Sequence, residues 1–201
     1  MAGPNEYLSI EKASTGEFKD RGSRFLAFAF PVEDEETIKV ELQNLKERYP
    51  DATHHCYAWV LGADRARYRA NDDGEPNHSA GSPILRQINS FELSQVLVVV
   101  VRYYGGTNLG VPGLINAYGH ATRLALEASS FQVQRLQCRV VLKFPFGEDG
   151  NAYRLVNQVQ AEVTELIYTP EPELHVLFDL DKKEELKMFA QNFPNIEVIC
   201  V

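Results

Sequence analysis

Val96-Leu-Val-Val-Val-Val-Arg-Tyr-Tyr-Gly-Gly-Thr-Asn-Leu-Gly-Val-Pro-Gly-Leu-Ile-Asn-Ala-Tyr118 reads as a strand, a glycine turn and the start of a helix. The unbroken, valine-rich apolar run fits a strand covered on both faces. Gly105 and Gly106 end it, and Pro112 is placed to open a helix, where its missing N–H costs nothing. A strand end, a glycine turn and a helix start aim several backbone N–H groups at one spot, a geometry that suits a phosphate or another anion. Thr107 and Asn108 add side-chain donors, and Arg102 offers a bidentate cation. Four glycines (Gly105, Gly106, Gly110 and Gly113) exceed the one or two that a sharp turn needs. Ligand contact is therefore the preferred reading of this loop over a turn alone.

A second polar loop precedes it, Asn71-Asp-Asp-Gly-Glu-Pro-Asn-His-Ser-Ala-Gly-Ser-Pro83. Its Asp72, Asp73 and Glu75 can hold a divalent cation through carboxylate oxygen. They can equally close a structural knot by accepting backbone N–H bonds around Gly74 and Pro76, the commoner use of such turn sequences.

Asp72-Asp-Gly-Glu-Pro76, Ala80-Gly81 with Pro83-Ile-Leu85, and Val100-Val-Arg-Tyr-Tyr-Gly-Gly106 continuing through Leu109-Gly110, Gly113-Leu114 and Ala117-Tyr118 resemble the motifs of the IMPACT/YigZ family. The resemblance implies an α+β chain of two domains. The first, residues 1–130, would be the left-handed βαβ domain shared by a small-subunit ribosomal protein and a domain of elongation factor G. The second, 133–201, fits the family's ferredoxin-like C-terminal domain by length and pattern. The resemblance also implies a cytosolic regulator of translation that binds RNA, the ribosome or a translation-associated protein, without an assigned chemistry. The chain departs from the family pattern where Asn108 and Asn116 replace commonly basic residues, and where Asn77 and His78 replace small ones.

Composition agrees with a globular protein but argues against bulk attraction to RNA or membranes, since the net charge is −8. Each domain carries half of that excess, so any phosphate contact must be local. Arg65, Arg67 and Arg69 are one candidate, because alternation on a strand puts all three guanidinium groups on one face. Their plain alternative is protection of an exposed strand edge, with Tyr68 pointing into the core. No apolar run approaches the ~20 residues that span a bilayer, and the N-terminus lacks a signal peptide's basic and apolar regions. Cys56, Cys138 and Cys200 are scattered thiols rather than a disulfide or metal framework. The expected location is the cytoplasm.

Along the chain, strands are expected at Tyr7 to Ala13 and Arg24 to Phe30, joined by a polar turn around Gly16 to Gly22. Ile38, Leu42, Leu45 and Tyr49 define one apolar face of a helix that Pro50 stops. Thr53 to Leu61 reads as a strand with a hairpin partner at Arg65 to Asn71, and Ser79 to Ser90 contains a helix. Leu114, Tyr118, Ala121 and Ala125 mark the buried face of the helix after the central strand. Beyond Ser130 come a strand at Val133 to Phe144, a helix, strands at Glu162 to Tyr168 and Glu173 to Leu180, a helix at Lys182 to Asn192, and a strand at Ile196 to Val201. That βαββαβ order is the ferredoxin-like arrangement.

If the strand holding Cys56 lies beside the central strand, both polar loops emerge at the same end of the sheet. Asp73 and Glu75 would then flank the glycine turn, with Arg102 balancing their charge and Ser79 and Gly81 nearby. The expected ligand is an anion or ordered water at the N–H groups between Gly105 and Gly113, in space that a side chain at Gly106 would block. His54, His55 and Cys56 do not make a metal site, because alternation puts only two of them on one face and a closed zinc site needs four ligands. No P-loop, dinucleotide fingerprint, nucleophile elbow or zinc-protease motif is present. The leading reading is thus a binding protein without cofactor or metal. The alternative is a metal-assisted hydrolase or phosphoryl-processing enzyme using Asp72, Asp73, Glu75 and His54. The oligomeric state has no signature in the sequence.

Overall fold

Val96–Tyr103 occupies the middle of a five-stranded sheet, because only a position covered on both faces suits side chains that are apolar at every register position. The computed structural model describes residues 5–200. Residues 1–4 and 201, on which the N-terminal reading and the end of the last strand partly rest, lie outside the described residues. The chain divides into two compact units between Gln134 and Arg135.

In the first unit the elements follow as β1 (Glu6–Ile10), β2 (Ser14–Asp20), β3 (Ser23–Pro31), α1 (Glu35–Arg48), β4 (His54–Leu61), β5 (Arg67–Asn71), α2 (Gly81–Ser90), β6 (Val96–Tyr103), α3 (Gly110–Glu127) and β7 (Phe131–Arg135). The large sheet has the order β2-β3-β6-β4-β5, and β1 and β7 form a separate pair. β6 runs antiparallel to both neighbours. Its Val96, Val98 and Val100 pack on the side of α2 and α3, with Ile84, Ile88, Leu114, Tyr118 and Ala121. Leu97, Val99 and Val101 pack on the side of α1, with Ile38 and Leu45. Each such buried side chain contributes about 1.5–3 kcal/mol relative to exposure, so the two-sided strand anchors the unit. Asp34 caps α1 through the Thr37 amide (2.8 Å), and Glu35 and Glu36 occupy its first turn.

Three expectations change. The segment from Gly16 to Gly22 is mostly strand, not turn: β2 pairs with β3, and the turn is the two-residue Arg21-Gly22, both at positive φ (45° and 82°). β2 is a polar edge strand whose inner face includes Gly16, where a Cβ would lie 2.4 Å from the Ala125 nitrogen of α3. A strand that uses glycine to admit a helix shows no apolar run. Arg65 sits in the β4–β5 turn at φ 57°, so only Arg67 and Arg69 share a strand face, and Tyr68 is 63% exposed rather than in the core. The single strand expected at Val133 to Phe144 is two, β7 and, after a one-residue break, β8 (Gln137–Lys143).

β8 opens the second unit and is followed by α4 (Asp149–Gln158), β9 (Glu162–Ile167), β10 (Glu173–Asp179), α5 (Lys183–Ala190) and β11 (Glu197–Cys200). The sheet order is β11-β8-β10-β9 with antiparallel neighbours, the ferredoxin-like arrangement. Leu142, Leu155, Leu174, Phe178 and Leu186 fill its own core. The protein is therefore α+β in two domains. Among the described residues, no helix is long and apolar enough to cross a membrane.

Candidate functional site

The antiparallel register His54↔Arg102 sets the start of β4 beside the end of β6, and β5 returns along β4 as far as Asn71. Both polar loops consequently leave the sheet at the same end. The first closes on itself. Asp72 accepts hydrogen bonds from the amides of His78 (2.8 Å), Ala80 (3.0 Å) and Gly81 (2.8 Å), and so ties down the start of α2. Burial pushes the Asp72 carboxyl up, but those amides outweigh it and hold the group below the usual carboxylate range. Asp73, at φ 43°, accepts from the His55 amide (2.6 Å), and its carbonyl lies 2.7 Å from His54 Nδ1. Ser79 donates to the Pro76 carbonyl (2.6 Å). Gly81 is needed because a Cβ there would lie 2.5 Å from the Asn71 nitrogen.

Glu75 alone turns inward. Its side chain is 4% exposed and forms a 2.5 Å ion pair with Arg102, itself 6% exposed. Tyr118 donates to the same Glu75 oxygen (2.7 Å), and the single Cys56 thiol proton has two acceptors in reach, the Tyr118 hydroxyl (3.3 Å) and the Asp72 carbonyl (3.0 Å). Burial pushes the Cys56 thiol and the Tyr118 phenol up from their ordinary values, so both remain protonated donors. The Arg102 guanidinium carbon lies 5.3 Å from the Phe25 ring centroid and 5.5 Å from that of Tyr104, within cation–π range of both. It also reaches Ser23 Oγ (3.4 Å), which accepts from the Gly105 amide (3.1 Å). Arg102 Nε has no partner.

In the second loop Gly105 and Gly106 have different reasons to be glycine. A Cβ on Gly105 would fall 1.9 Å from the carbonyl carbon of Gly22, so two backbones touch there. Gly106 has open space around it and is fixed by its φ of 83°. A side chain at Gly106 would enter that open space, and the backbone conformation would disfavour it as well. Gly110, at φ 70°, begins α3 after Leu109, which gives no side-chain cap, so the first-turn amides have no partner from that position. A Cβ on Gly113 would press on Leu109 Cβ at 2.9 Å. Thr107 is exposed, and Asn108 accepts from the Tyr104 hydroxyl (3.2 Å).

Between the loops lies a cleft of about 470 Å³, lined among others by Thr53, His54, Glu75, Arg102, Tyr104 and Asn108. That volume is within the range of small-ligand pockets, roughly 300–1,000 Å³. The arginine row takes no part in it. Arg65 bonds Asn89 (2.6 Å), Arg67 pairs with Glu35 (2.6 Å), and Arg69 stands opposite Trp59 on the β4–β5 register. Among the described residues no three His, Cys, Asp or Glu side chains group to hold a metal, and Asp72, Asp73 and Glu75 are engaged as described. Tyr118, Cys56, Ser23 and Phe25 were not signalled as site residues by the sequence. One clue existed: a tyrosine on the buried face of α3 needs a partner for its hydroxyl.

The Impact N-terminal domain family matches residues 21–126. An "IMPACT family member" of Haemophilus influenzae is 30% identical over 180 residues, covering 89% of this chain and 86% of that protein. The Escherichia coli "IMPACT family member YigZ" is 40% identical over 112 residues, 55% of either chain. A crystal structure of a hypothetical protein superposes with a TM-score of 0.79 at 28% identity, covering 98% of both chains.

Proposed function

The chain belongs to the IMPACT family, and we propose that it is a cytosolic regulator of translation that grips an anionic group of RNA, the ribosome or a translation-associated protein in the cleft at the head of α3. The family's link to translational control supplies the setting. The observation that carries the site is the cleft itself, where both motif loops meet over a buried Glu75–Arg102 pair and beside the uncapped start of α3. The pair neutralises itself and is rigid, so it holds the walls in place. The helix start supplies partial positive charge and free amides. With a net charge of −8, attraction is confined to this spot, and binding should weaken only modestly with salt.

The test is filter binding of the full chain to ribosomes and structured RNA at several salt concentrations, alongside an in vitro translation assay. Saturable binding with a measurable salt slope, and a change in translation rate on adding the chain, are expected. Binding no tighter than that of an acidic control protein, with no salt dependence, removes the reading.

A further inference from the structure

We propose that the groove between α2 and α3 binds the phosphate monoester of a small hydroxyl-bearing molecule, a sugar or polyol phosphate. The groove shares no lining residue with the cleft at the head of α3, so the two readings stand or fall separately. Ile84 and Ile88 of α2 join Ala117 and Ala121 of α3 in the core. Outside that seam each helix presents a second, polar stripe at helical spacing, Arg86 and Gln87 on α2 and Asn116, His120 and Arg123 on α3. Together they line a space of about 270 Å³, room for about nine non-hydrogen atoms at a water's share of ~30 Å³ each.

The charge of the groove runs against that of the chain. With a net charge of −8, the chain still sets two arginines and no carboxylate on these walls. Among the described residues, the side chains of Arg86, Gln87 and Asn116 have no hydrogen-bond or ion-pair partner. Arg123 gives its Nε–H to Glu127 (2.7 Å), an exposed pair of little strength, and its Nη groups remain to donate. His120 is steadied by stacking on Phe18, with 5.0 Å between centroids and 8° between planes. Gly119 is an independent sign of a ligand. It lies buried in the interior of α3 and lines the groove, where glycine weakens a helix relative to alanine. A Cβ there would meet only Gln87 Nε2, at an ordinary 3.7 Å, so packing within the chain does not require glycine. A methyl group would occupy the floor of the groove, and glycine keeps that floor open to close approach.

The donors decide the ligand class. Two guanidinium forks, each suited to a pair of oxygens, exceed what one carboxylate offers. A phosphate monoester brings three acceptor oxygens and about −1.5 to −2 charge at pH 7, which matches both arginines. A nucleic-acid backbone carries a single charge per phosphate and matches only one. The amides of Gln87 and Asn116 each donate and accept, as the hydroxyl groups of the remaining part require.

The experiment follows the backbone and side-chain amide resonances of the ¹⁵N-labelled full chain during titration with glycerol 3-phosphate at constant ionic strength. Saturable shifts at Gln87, Asn116 and Gly119 are expected, with a Kd of about 1 mM or below for a ligand of about ten non-hydrogen atoms. Glycerol should give none, and inorganic phosphate should bind about threefold more weakly. Arg86→Gln and Arg123→Gln should each cost about fivefold, and the double variant should abolish binding. Lys39→Gln, which removes an exposed charge on α1, should change affinity less than about twofold. Gly119→Ala should weaken binding about threefold while raising Tm by about 2–4 °C, a combination that a glycine required by packing would not produce. Thermal unfolding confirms that each variant is folded. Shifts that fail to saturate, persist in the double arginine variant or centre on other residues overturn the proposal, as does unchanged affinity in Gly119→Ala. Equal binding of inorganic phosphate, or tighter binding of a phosphoserine peptide or an oligouridylate than of glycerol 3-phosphate, overturns it too.

Discussion

The two polar loops are made of similar residues and do opposite things. In the Asp72–Gly81 loop the carboxylates and the Ser79 hydroxyl find partners within the first domain, most of them inside the loop or on the adjoining start of β4. In the Gly105–Gly113 loop the glycines set the path, the Asn108 amide and the first amides of α3 stay open, and Tyr104 stands half-exposed beside them. The first loop is a wall and the second is a mouth. Acidic residues in a glycine-rich loop therefore do not by themselves announce a metal or catalytic centre; which amides they accept from decides.

Substitutions at four positions break or sharpen this contrast. Arg102→Leu acts on the pair beneath both loops and strands a buried Glu75 carboxylate. It should cost about 3–5 kcal/mol in urea unfolding. Gly105→Ala forces a methyl group into the Gly22 backbone and should cost about 3 kcal/mol, at the upper end for overpacking, since neither chain is a flexible side-chain tip. Asp72→Ala removes the acceptor for three amides and should cost about 2 kcal/mol, at the upper end for a helix cap. Because the folded-state pKa of Asp72 is depressed below its unfolded value of about 3.9, its contribution is full above that pH. It disappears as pH falls through the folded-state pKa, so wild type and Asp72→Asn should converge in acid. Gly106→Ala has only an unfavourable φ to contend with and should cost about 1 kcal/mol. A Gly106→Ala effect larger than that of Asp72→Ala would reverse the contrast between wall and mouth.

Much of this was legible in the chain. Six consecutive aliphatic residues from Val96, five of them valine, fit a two-sided strand, and the spacing of Ile38, Leu42, Leu45 and Tyr49 fits α1. The meeting of Glu75 and Arg102 followed from pairing β4 with β6. β2 was illegible because its inward positions include a glycine placed for helix contact, which removes the alternation that marks a strand. Arg65 was misplaced since alternating arginines continue the strand pattern into a turn that only its positive φ reveals. The Cys56–Tyr118–Glu75 network joins residues 43 and 62 positions apart, and no local pattern encodes such a meeting.

That separation has a consequence for the order of events in folding. Ser23 meets Arg102 across 79 positions, and Glu75 meets Tyr118 across 43. Contacts so far apart carry a large loop-closure cost and form slowly relative to local helices. During synthesis, the sheet cannot close before its central strand β6 emerges, and the floor of the cleft gains its Tyr118 contact only once α3 follows. The binding mouth is thus a late product of assembly, and any ligand that stabilises it does so by favouring the completed domain over its partly folded precursors.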